Sequence, residues 1–267
     1  MSKPVISIVM TYYNRPQQLL LTLRTIEYYC KNLSGVEVII VDDGSDEEFC
    51  ARRVLNKVDI GMEIRVIETK DKWWTNPCIP FNIGFNSARG DIVCIQNAES
   101  LHCCGNLIKY ALENTNDKRY LTFSCYSTQE ENHNQFGSFV ELRDQVLLHR
   151  IEAALKPFEV KRWFNHSEHL PTKYHYFSSI TKKNLDKLGG FNKEFATGLG
   201  FEDDEFLFQV EEAGLEVVLV PPEVGVIVHQ WHPKSSSLLP GGSEWKKNKA
   251  IYLRIVNGKR IPWEDRL

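Results

Sequence analysis

Hydrophobic and polar positions follow two different periods along the first part of the chain. Short stretches at 5–10, 36–43, 62–69 and 91–96 predict four strands. The first two are near-continuous apolar runs rich in β-branched residues, which predicts burial on both faces. Apolar residues at helical spacing predict intervening helices at 15–30, 47–58 and 79–88. The alternation is typical of a mainly parallel, Rossmann-like α/β sheet flanked by helices, which binds ligands at the carboxyl ends of its strands.

The order of elements changes after about residue 120. Further strands are predicted at 120–127, 216–222 and 224–230. Helices are predicted at 182–191, 203–214 and 244–256, and 138–155 has mixed helical character. The polar stretch 128–138 is predicted as a loop. Because no internal repeat or linker separates the halves, the pattern favours a single domain over 1–267 with a smaller mixed second half.

Composition narrows the class of protein. The 267 residues are 42% apolar and 25% charged, with a formal net charge of −3. A slightly acidic chain argues against a nucleic-acid-binding surface, and the apolar runs are too short for a membrane span. No cleavage site follows the first apolar run, so the sequence predicts no signal peptide and a cytoplasmic protein. The seven cysteines form no CxxC pair, which favours reduced thiols over a zinc cluster.

The second predicted strand ends in two aspartates. A carboxylate at such a strand end, as at Asp43, can accept a hydrogen bond from the imide N–H of a uracil-like base. Alternatively, Asp42 and Asp43 cap the following helix and form an Asx turn with Gly44. The two roles are compatible, so both remain open at this point.

Four stretches resemble the family-2-like glycosyltransferases of the GT-A fold. They are SIVMTYYNRP (7–16), IIVDDGSDEE (39–48), IPFNIGFNSARGDIVCIQNAES (79–100) and the galactosyltransferase-like GGFNKEFATGLGFEDDEFLFQVEEAG (189–214). Each alone is a weak signal, whereas their order and spacing together are specific. The resemblance implies a GT-A fold, with 1–120 as the nucleotide-sugar half, 121–240 as the acceptor and catalytic half, and 241–267 as a C-terminal helix.

The resemblance also implies a place for the donor, a nucleoside-diphosphate sugar that we expect to be UDP-linked. Asp43 would read the base, and Thr11 and Tyr13 would wall its pocket. Further donor or acceptor contacts are implied for Asn14, Arg15, Asn82 and Asn97. The implied acceptor is a hydroxyl group on a glycan, a protein or a lipid-linked molecule.

A metal site is implied at the end of the fourth strand. Asn97 and Glu99 align with the first and last positions of the family's acid–any–acid triplet, which holds a divalent cation against the diphosphate. Because Asn97 brings no charge, a further ligand is needed. The resemblance places it at His229, and an imidazole suits Mn²⁺ better than Mg²⁺. His229 is otherwise a strand-end histidine bonded to backbone, and His102 is a weaker second candidate.

Four consecutive acids, 202–205, open a predicted helix. Acids cap such a helix and complement its dipole, but that accounts for one or two of them. The resemblance implies that Asp203 is the base that deprotonates the acceptor and that Glu202 contacts sugar hydroxyls. Neighbouring carboxylates and the aromatic residues Phe201 and Phe206 would raise the pKa of the base toward neutrality. Gly198 and Gly200 would let the backbone approach a sugar.

Two further segments have open interpretations. The first is rich in aromatic and histidine residues: Trp163, Phe164, His166, His169, His175 and Tyr176. These side chains, Trp163 among them, either line a sugar pocket or belong to the core. The second, 233–243, is either a loop that closes over the nucleotide sugar or a solvent-exposed connection.

These residues predict an inverting, metal-dependent glycosyltransferase that uses Mn²⁺ or Mg²⁺. An alternative is a catalytically weakened module that binds sugar nucleotides or glycans, with Asn97 marking decay of the metal site. It predicts nucleotide binding that is indifferent to Mn²⁺. A nucleotidyltransferase is a weaker third option, because 10–18 lacks the glycine-rich basic loop with which such enzymes usually begin.

Overall fold

A computed structural model of the chain describes residues 5–56, 59–233 and 241–258. Its strands are β1 (Ile6–Tyr12), β2 (Val36–Asp42), β3 (Glu63–Glu68), β4 (Ile92–Asn97), β5 (Ser100–Cys103), β6 (Arg119–Phe123), β7 (Cys125–Ser127), β8 (Trp163–Asn165), β9 (Phe177–Thr181), β10 (Glu216–Val220) and β11 (Val226–His229). Its α-helices are α1 (Pro16–Cys30), α2 (Ala51–Asn56), α3 (Cys78–Ser87), α4 (Leu107–Asn114), α5 (Glu130–Gly137), α6 (Asp144–Leu155), α7 (Lys182–Leu188), α8 (Glu202–Glu212) and α9 (Ser243–Asn257).

Seven strands form the main sheet, in the order β10-β6-β9-β4-β1-β2-β3. The first four strands of the chain pair in parallel, which confirms the predicted α/β alternation. β9 is antiparallel to both of its neighbours, so the sheet is mixed in its second half. Helices cover both faces because the strands are apolar on both.

A second, four-stranded sheet has the order β5-β11-β7-β8. The chain enters it through a tight turn at Ala98 and Glu99, directly after β4. The predicted single strand at 120–127 enters it too, because the chain breaks at Ser124 into β6 and β7, which belong to different sheets. The two sheets therefore meet where the candidate metal residues lie.

The predicted loop at 128–138 is wrong, because 130–137 is the helix α5. Gln129 and Asn132 form a reciprocal capping box at its start, and the buried Phe136 anchors its apolar side. A short polar helix of this kind has almost no hydrophobic period in its sequence. No sequence prediction covered the strands β5, β8 and β9 or the helix α4. Each of these strands has five residues or fewer, which is too short for a clear hydrophobic period.

Two other expectations concern the chain beyond the sheets. The predicted loop at 233–243 lies mostly outside the described residues. No helix in the described part of the chain is both long and apolar enough to cross a membrane.

Candidate active site

The polar ends of three parallel strands meet at one edge of the main sheet. Thr11 pairs with Asn97 in the β1–β4 ladder, and Tyr12 pairs with Asp42 in the β1–β2 ladder. Parallel strands end on the same side of a sheet, so these residues share one crevice. The structure thus brings the predicted nucleotide and metal residues to a common edge.

The two aspartates at the end of β2, Asp42 within it and Asp43 directly after it, have different partners. Asp42 accepts hydrogen bonds from the backbone N–H of Ser45 (2.9 Å) and of Ala51 (2.7 Å), so it closes the turn and caps α2. This cap is also why α2 begins at Ala51 and not at the predicted 47. Asp43 takes no part in it. The capping interpretation therefore applies to Asp42, and the Asp43 carboxylate is left for other contacts.

Asp43 faces a small polar and aromatic pocket. Its Oδ1 accepts from Trp74 Nε1 at 2.7 Å, and its Oδ2 accepts from Lys72 Nζ at 2.6 Å. Lys72 Nζ also lies 5.1 Å from the ring centre of Tyr13, which is half-exposed. Each carboxylate oxygen retains a second acceptor site. Lys72 and Trp74 were not predicted, although both come from the conspicuous sequence KDKWW at 70–74.

Asn14 and Arg15, both predicted to contact the donor, connect separate parts of this edge. The side-chain amide of Asn14 donates to the Asp46 carboxylate (2.7 Å) and accepts from the Asp46 backbone N–H (2.9 Å). Arg15 Nη1 donates to Glu99 Oε1 at 2.7 Å. Asn14 therefore holds the acidic turn in place, while Arg15 lies at the metal residues.

Glu99 is the centre of a cluster with two histidines. Its Oε1 lies 3.7 Å from His229 Nε2 and 3.6 Å from His232 Nε2. One ligand atom from each of the three residues falls within 4.8 Å of the others. A carboxylate oxygen and two imidazole nitrogens form a donor set that suits Mn²⁺ and related first-row metals, so these residues fit the metal that the fold class implies. His232 was missed because it follows β11 in an irregular segment.

The groups around Glu99 fix its position and its charge. Gln230 donates to the Glu99 backbone carbonyl from its own backbone N–H (2.9 Å) and from its side chain (3.3 Å). Burial alone would raise the pKa of Glu99, but His229, Arg15 and His232 hold the pKa well below its usual range. Glu99 is therefore an anion prepared to face positive charge.

His102 does not belong to this cluster. It is fully buried, its Nε2 lies 3.2 Å from Gln96 Oε1, and its ring packs against Phe177. Burial lowers the pKa of His102 to about 3, so the ring is neutral. Although His102 follows Glu99 closely in sequence, the structure assigns it to the interior.

The acids at 202–205 form a second cluster at the start of α8. Asp203 is partly exposed, whereas Glu202 is buried and accepts from Asn76 Nδ2 at 2.6 Å. Asp204 accepts from the hydroxyl of Tyr174 at 3.2 Å. Phe201, directly before the helix, has a left-handed φ of +68°. A non-glycine residue in this conformation costs free energy and is over-represented at functional sites.

Burial and mutual repulsion change the acidity of this second cluster. Burial and the charge of Asp204 raise the pKa of Asp203 to about 7. Burial and Asp203 likewise raise the pKa of Glu202 to about 7, and the two carboxyl groups interact through a hydrogen bond. Two adjacent carboxyls of this kind share a proton near neutral pH. The pair can therefore accept a proton at a pH where an isolated carboxylate cannot hold one.

The consecutive residues His175 and Tyr176 contact the acid cluster and the metal cluster, respectively. His175 Nε2 lies 3.2 Å from Asp203 Oδ1, and the Tyr176 ring packs edge-on against His229 with centroids 5.5 Å apart. Burial lowers the pKa of His175 to about 4, so the neutral ring can donate its N–H to Asp203. The charges of Asp203 and Glu99 both act on the Tyr176 hydroxyl, so Tyr176 lies between the acid cluster and the metal cluster.

The histidine-rich segment divides between core and site. Trp163 is buried and packs edge-on against Tyr126, so this residue, predicted to bind donor or acceptor, belongs to the core. Phe164 lies beside His229, with ring centroids 5.5 Å apart. His166 and His169 stack on each other at 4.2 Å in a turn. Composition alone could not separate these environments.

Asn82, also predicted as a donor or acceptor contact, has a structural role instead. Its side-chain amide donates to the Phe191 carbonyl (2.7 Å) and accepts from the Phe191 backbone N–H (2.8 Å). Because Asn82 is buried and both ends of its amide are paired, it clamps α3 to the segment that leads to the acid cluster.

The helix α9 packs against the same segment. Asn248 is fully buried and donates to the carbonyls of Phe195 (3.1 Å) and Gly200 (2.9 Å). A Cβ atom at Gly198 would lie 1.9 Å from Asn248 Oδ1, so glycine is required there for close contact. Gly198 was predicted to let the backbone approach a sugar, whereas in the structure it lets α9 pack closely against this segment.

The mixed α/β sheet flanked by helices is the architecture expected of a GT-A glycosyltransferase, and comparisons with known proteins agree with that class. The sequence model of glycosyl transferase family 2 matches residues 7–189, and the chain belongs to that family. A second family model, the N-terminal domain of galactosyltransferase, matches residues 164–233, which hold Asp203, His229 and His232. No curated protein matches the chain at a significant level.

Solved structures of glycosyltransferases share the fold. The mannosyltransferase PcManGT from Pyrobaculum calidifontis, in complex with GDP-Man and Mn²⁺, is 16% identical with a TM-score of 0.58, and the match covers 100% of this chain and 68% of that chain. S. aureus TarS 1-349 in complex with UDP-GlcNAc is 12% identical with a TM-score of 0.64, covering 98% of this chain and 69% of that chain. Against S. aureus TarS the chain covers 41% of the other protein. At these identities the likeness shows the fold alone.

Proposed function

We propose that the protein transfers a sugar from a UDP-linked donor to a hydroxyl acceptor by a single, metal-dependent displacement that inverts the anomeric carbon. The observation that carries this proposal is that two oppositely charged environments lie on either side of Tyr176, whose hydroxyl is acted on by both Asp203 and Glu99. Glu99, His229 and His232 form the first, and Asp203 with Glu202 forms the second. A sugar between them would have its leaving group on one side and its acceptor on the other.

The nucleotide is held at the sheet edge. Asp43 accepts the imide N–H of the uracil, Tyr13 offers a half-exposed ring face, and Lys72 holds the carboxylate in place through its ion pair. Glu99, His229 and His232 would hold the metal, which on binding would neutralise the charge that develops on the diphosphate. The Arg15 guanidinium, which donates to Glu99, would add a positive charge beside the same phosphates.

The acceptor reacts on the other side. The Asp203 carboxylate takes the proton of the acceptor hydroxyl while that oxygen bonds to C1 of the sugar and the bond from C1 to the diphosphate oxygen breaks. His175 orients Asp203 through its Nε2, and Glu202 holds the shared proton or contacts a sugar hydroxyl. A pKa of Asp203 near 7 suits a base that works at neutral pH. Attack from the face opposite the nucleotide inverts the configuration at C1.

A panel of nucleotide sugars tests this function. UDP-sugars and GDP-mannose are compared for thermal stabilisation and for release of the nucleoside diphosphate, each with Mn²⁺ and with a chelator. We expect stabilisation by a UDP-sugar that depends on Mn²⁺, because a ligand that binds the folded state raises its stability by mass action. Once an acceptor has been identified, NMR of the product gives the anomeric configuration of the new glycosidic linkage.

Three results would contradict parts of the proposal. A preference for GDP-mannose would remove the assignment of uracil to Asp43. Retention of configuration would remove the single displacement. Binding that is equal with and without Mn²⁺, together with no release of the nucleoside diphosphate, would instead favour the sugar-nucleotide binding module.

A further inference from the structure

Two neighbouring cysteines at the end of β5 bring their sulfur atoms together. Cys103 is the last residue of β5 and Cys104 follows it, and their Sγ atoms lie 3.2 Å apart. Successive side chains of a strand point to opposite faces. Cys104 breaks this alternation because its φ is +61°, in the left-handed region. The backbone therefore adopts a costly conformation that places the two thiols in contact.

The surroundings make the two thiols unequal. Cys103 is fully buried among apolar residues, whereas Cys104 is only partly buried. From α6, Glu152 offers a carboxylate oxygen within 4.8 Å of both sulfurs. Lys156, one turn further, lies 3.6 Å from Glu152 and acts electrostatically on both thiols. A small reagent can therefore reach Cys104 first.

The charges of the pair follow from this geometry. The Cys103 thiol can donate its hydrogen to the Cys104 sulfur, which lowers the pKa of Cys104 and raises that of Cys103 well above its usual value. Lys156 also favours the thiolate of Cys104. A partly exposed thiolate next to a second thiol is the arrangement of peroxide-sensitive cysteines.

We propose that Cys103 and Cys104 form a vicinal dithiol that a hydroperoxide oxidises reversibly to an intramolecular disulfide. With hydrogen peroxide, the Cys104 thiolate attacks one oxygen and the O–O bond breaks. The sulfenic acid of Cys104 forms as hydroxide leaves and takes a proton from solvent to become the first water. Cys103 then attacks that sulfur, the S–O bond breaks, and a second water leaves with the thiol proton. The two sulfurs lose two electrons and the peroxide gains them. This site does not depend on the proposed transfer reaction.

A bound metal is the competing occupant of the same residues, because Cys103, Cys104 and Glu152 also have a ligand-like arrangement. Two observations favour oxidation. The Lys156 ammonium next to the cluster repels a cation, and Cys103 is buried with a thiol that holds its proton. Thiolates and not thiols are the metal ligands.

The proposal is tested on the reduced full chain with hydrogen peroxide. We expect the intact mass to fall by two hydrogen atoms, peptide mapping to place the loss on the Cys103–Cys104 peptide, and dithiothreitol to restore it. Cys103→Ala should leave a sulfenic acid on Cys104 that dimedone traps. Cys50→Ser is the matched control, because Cys50 is a partly exposed cysteine outside this pair, and this variant should form the disulfide as the wild type does.

Three outcomes would overturn the proposal. One is alkylation of both Cys103 and Cys104 after peroxide treatment that oxidises Cys50. The second is a stable sulfinic acid on Cys104 in the wild type without a disulfide. The third is binding of Zn²⁺ by the untreated protein that protects both thiols from peroxide. All three are read on the wild-type chain, so they do not depend on how the variants fold.

Discussion

Glu99 and Asp203 are both carboxylates whose charges act on Tyr176, yet their own surroundings have opposite charge. Around Glu99 stand Arg15, His229 and His232, and these hold its pKa well below the usual range despite burial. Around Asp203, burial and the charge of Asp204 raise the pKa to about 7. The first carboxylate is therefore fixed as an anion, while the second can gain and lose a proton near neutral pH.

This difference separates two kinds of chemistry that one residue type can perform. A carboxylate among nitrogen ligands is suited to hold a cation, and its charge must not vary with pH. A carboxylate among other carboxylates is suited to accept a proton, since its pKa lies near the working pH. Variants that change one of these carboxylates or a charged neighbour test whether the two roles are separate.

The largest effect is expected for Asp203→Asn. The amide keeps the shape of the side chain but cannot take a proton, so transfer should fall roughly 10²- to 10⁴-fold, the usual contribution of a general base. Transfer is measured with the donor found in the nucleotide-sugar panel. Glu211→Gln, on the exposed side of the same helix, is the control and should keep wild-type activity. Wild-type transfer by Asp203→Asn would remove the base assignment.

His232→Ala should weaken Mn²⁺ binding by about 10- to 100-fold, because it removes one of the three donor groups around Glu99. Binding is measured by titration of free Mn²⁺ with electron paramagnetic resonance. His149→Ala, an exposed histidine on α6, should bind as the wild type does. Unchanged Mn²⁺ affinity in His232→Ala would leave Glu99 and His229 as the metal residues without His232.

Arg15→Gln should tighten Mn²⁺ binding in the absence of nucleotide. Arg15 donates to Glu99 Oε1, the same oxygen that faces both histidines, so a metal must compete with it. An ion pair worth up to about 1 kcal/mol corresponds to a gain of roughly two- to five-fold. The titration is repeated on Arg52→Gln, which pairs with the remote Glu68 and should bind metal as the wild type does. Weaker binding in Arg15→Gln would mean that Arg15 supports the metal site.

The smallest effect is expected for Asp204→Asn, read from the pH dependence of transfer. The charge of Asp204 raises the pKa of Asp203, so its removal should lower that pKa. Because the ionised form of Asp203 is the active base, the rate should rise through its midpoint at a lower pH than in the wild type. Asp204→Glu keeps the charge and should keep the midpoint nearer neutrality. A midpoint that moves to higher pH would contradict the electrostatic account.

Features that depend on neighbouring residues can be predicted from the sequence, whereas contacts between residues far apart along the chain cannot. The parallel strands and main helices follow from local periods, and Glu99, His229 and Asp203 follow from motifs at the ends of elements. Contacts between remote segments do not: Arg15 and Glu99 are 84 positions apart. Asn82 has the residue type of a ligand contact, and only the fold shows that Phe191 occupies its amide.

The sequence predictions also failed in short or irregular segments. The helix α5 is polar and depends on a capping box, so its sequence has the composition of a loop. His232 and Lys72 lie outside regular elements, where no period predicts which way a side chain points. Both residues can be read from the sequence, but only the fold shows that His232 lies beside Glu99 and Lys72 beside Asp43.

The central claim is that metal binding and proton transfer belong to separate carboxylates. Titration of Mn²⁺ into Glu99→Gln and Asp203→Asn, side by side with the wild type, tests it most directly. We predict that Glu99→Gln loses Mn²⁺ binding, whereas Asp203→Asn binds Mn²⁺ with wild-type affinity and still fails to transfer sugar. Wild-type Mn²⁺ affinity in Glu99→Gln, or its loss in Asp203→Asn, would contradict the account.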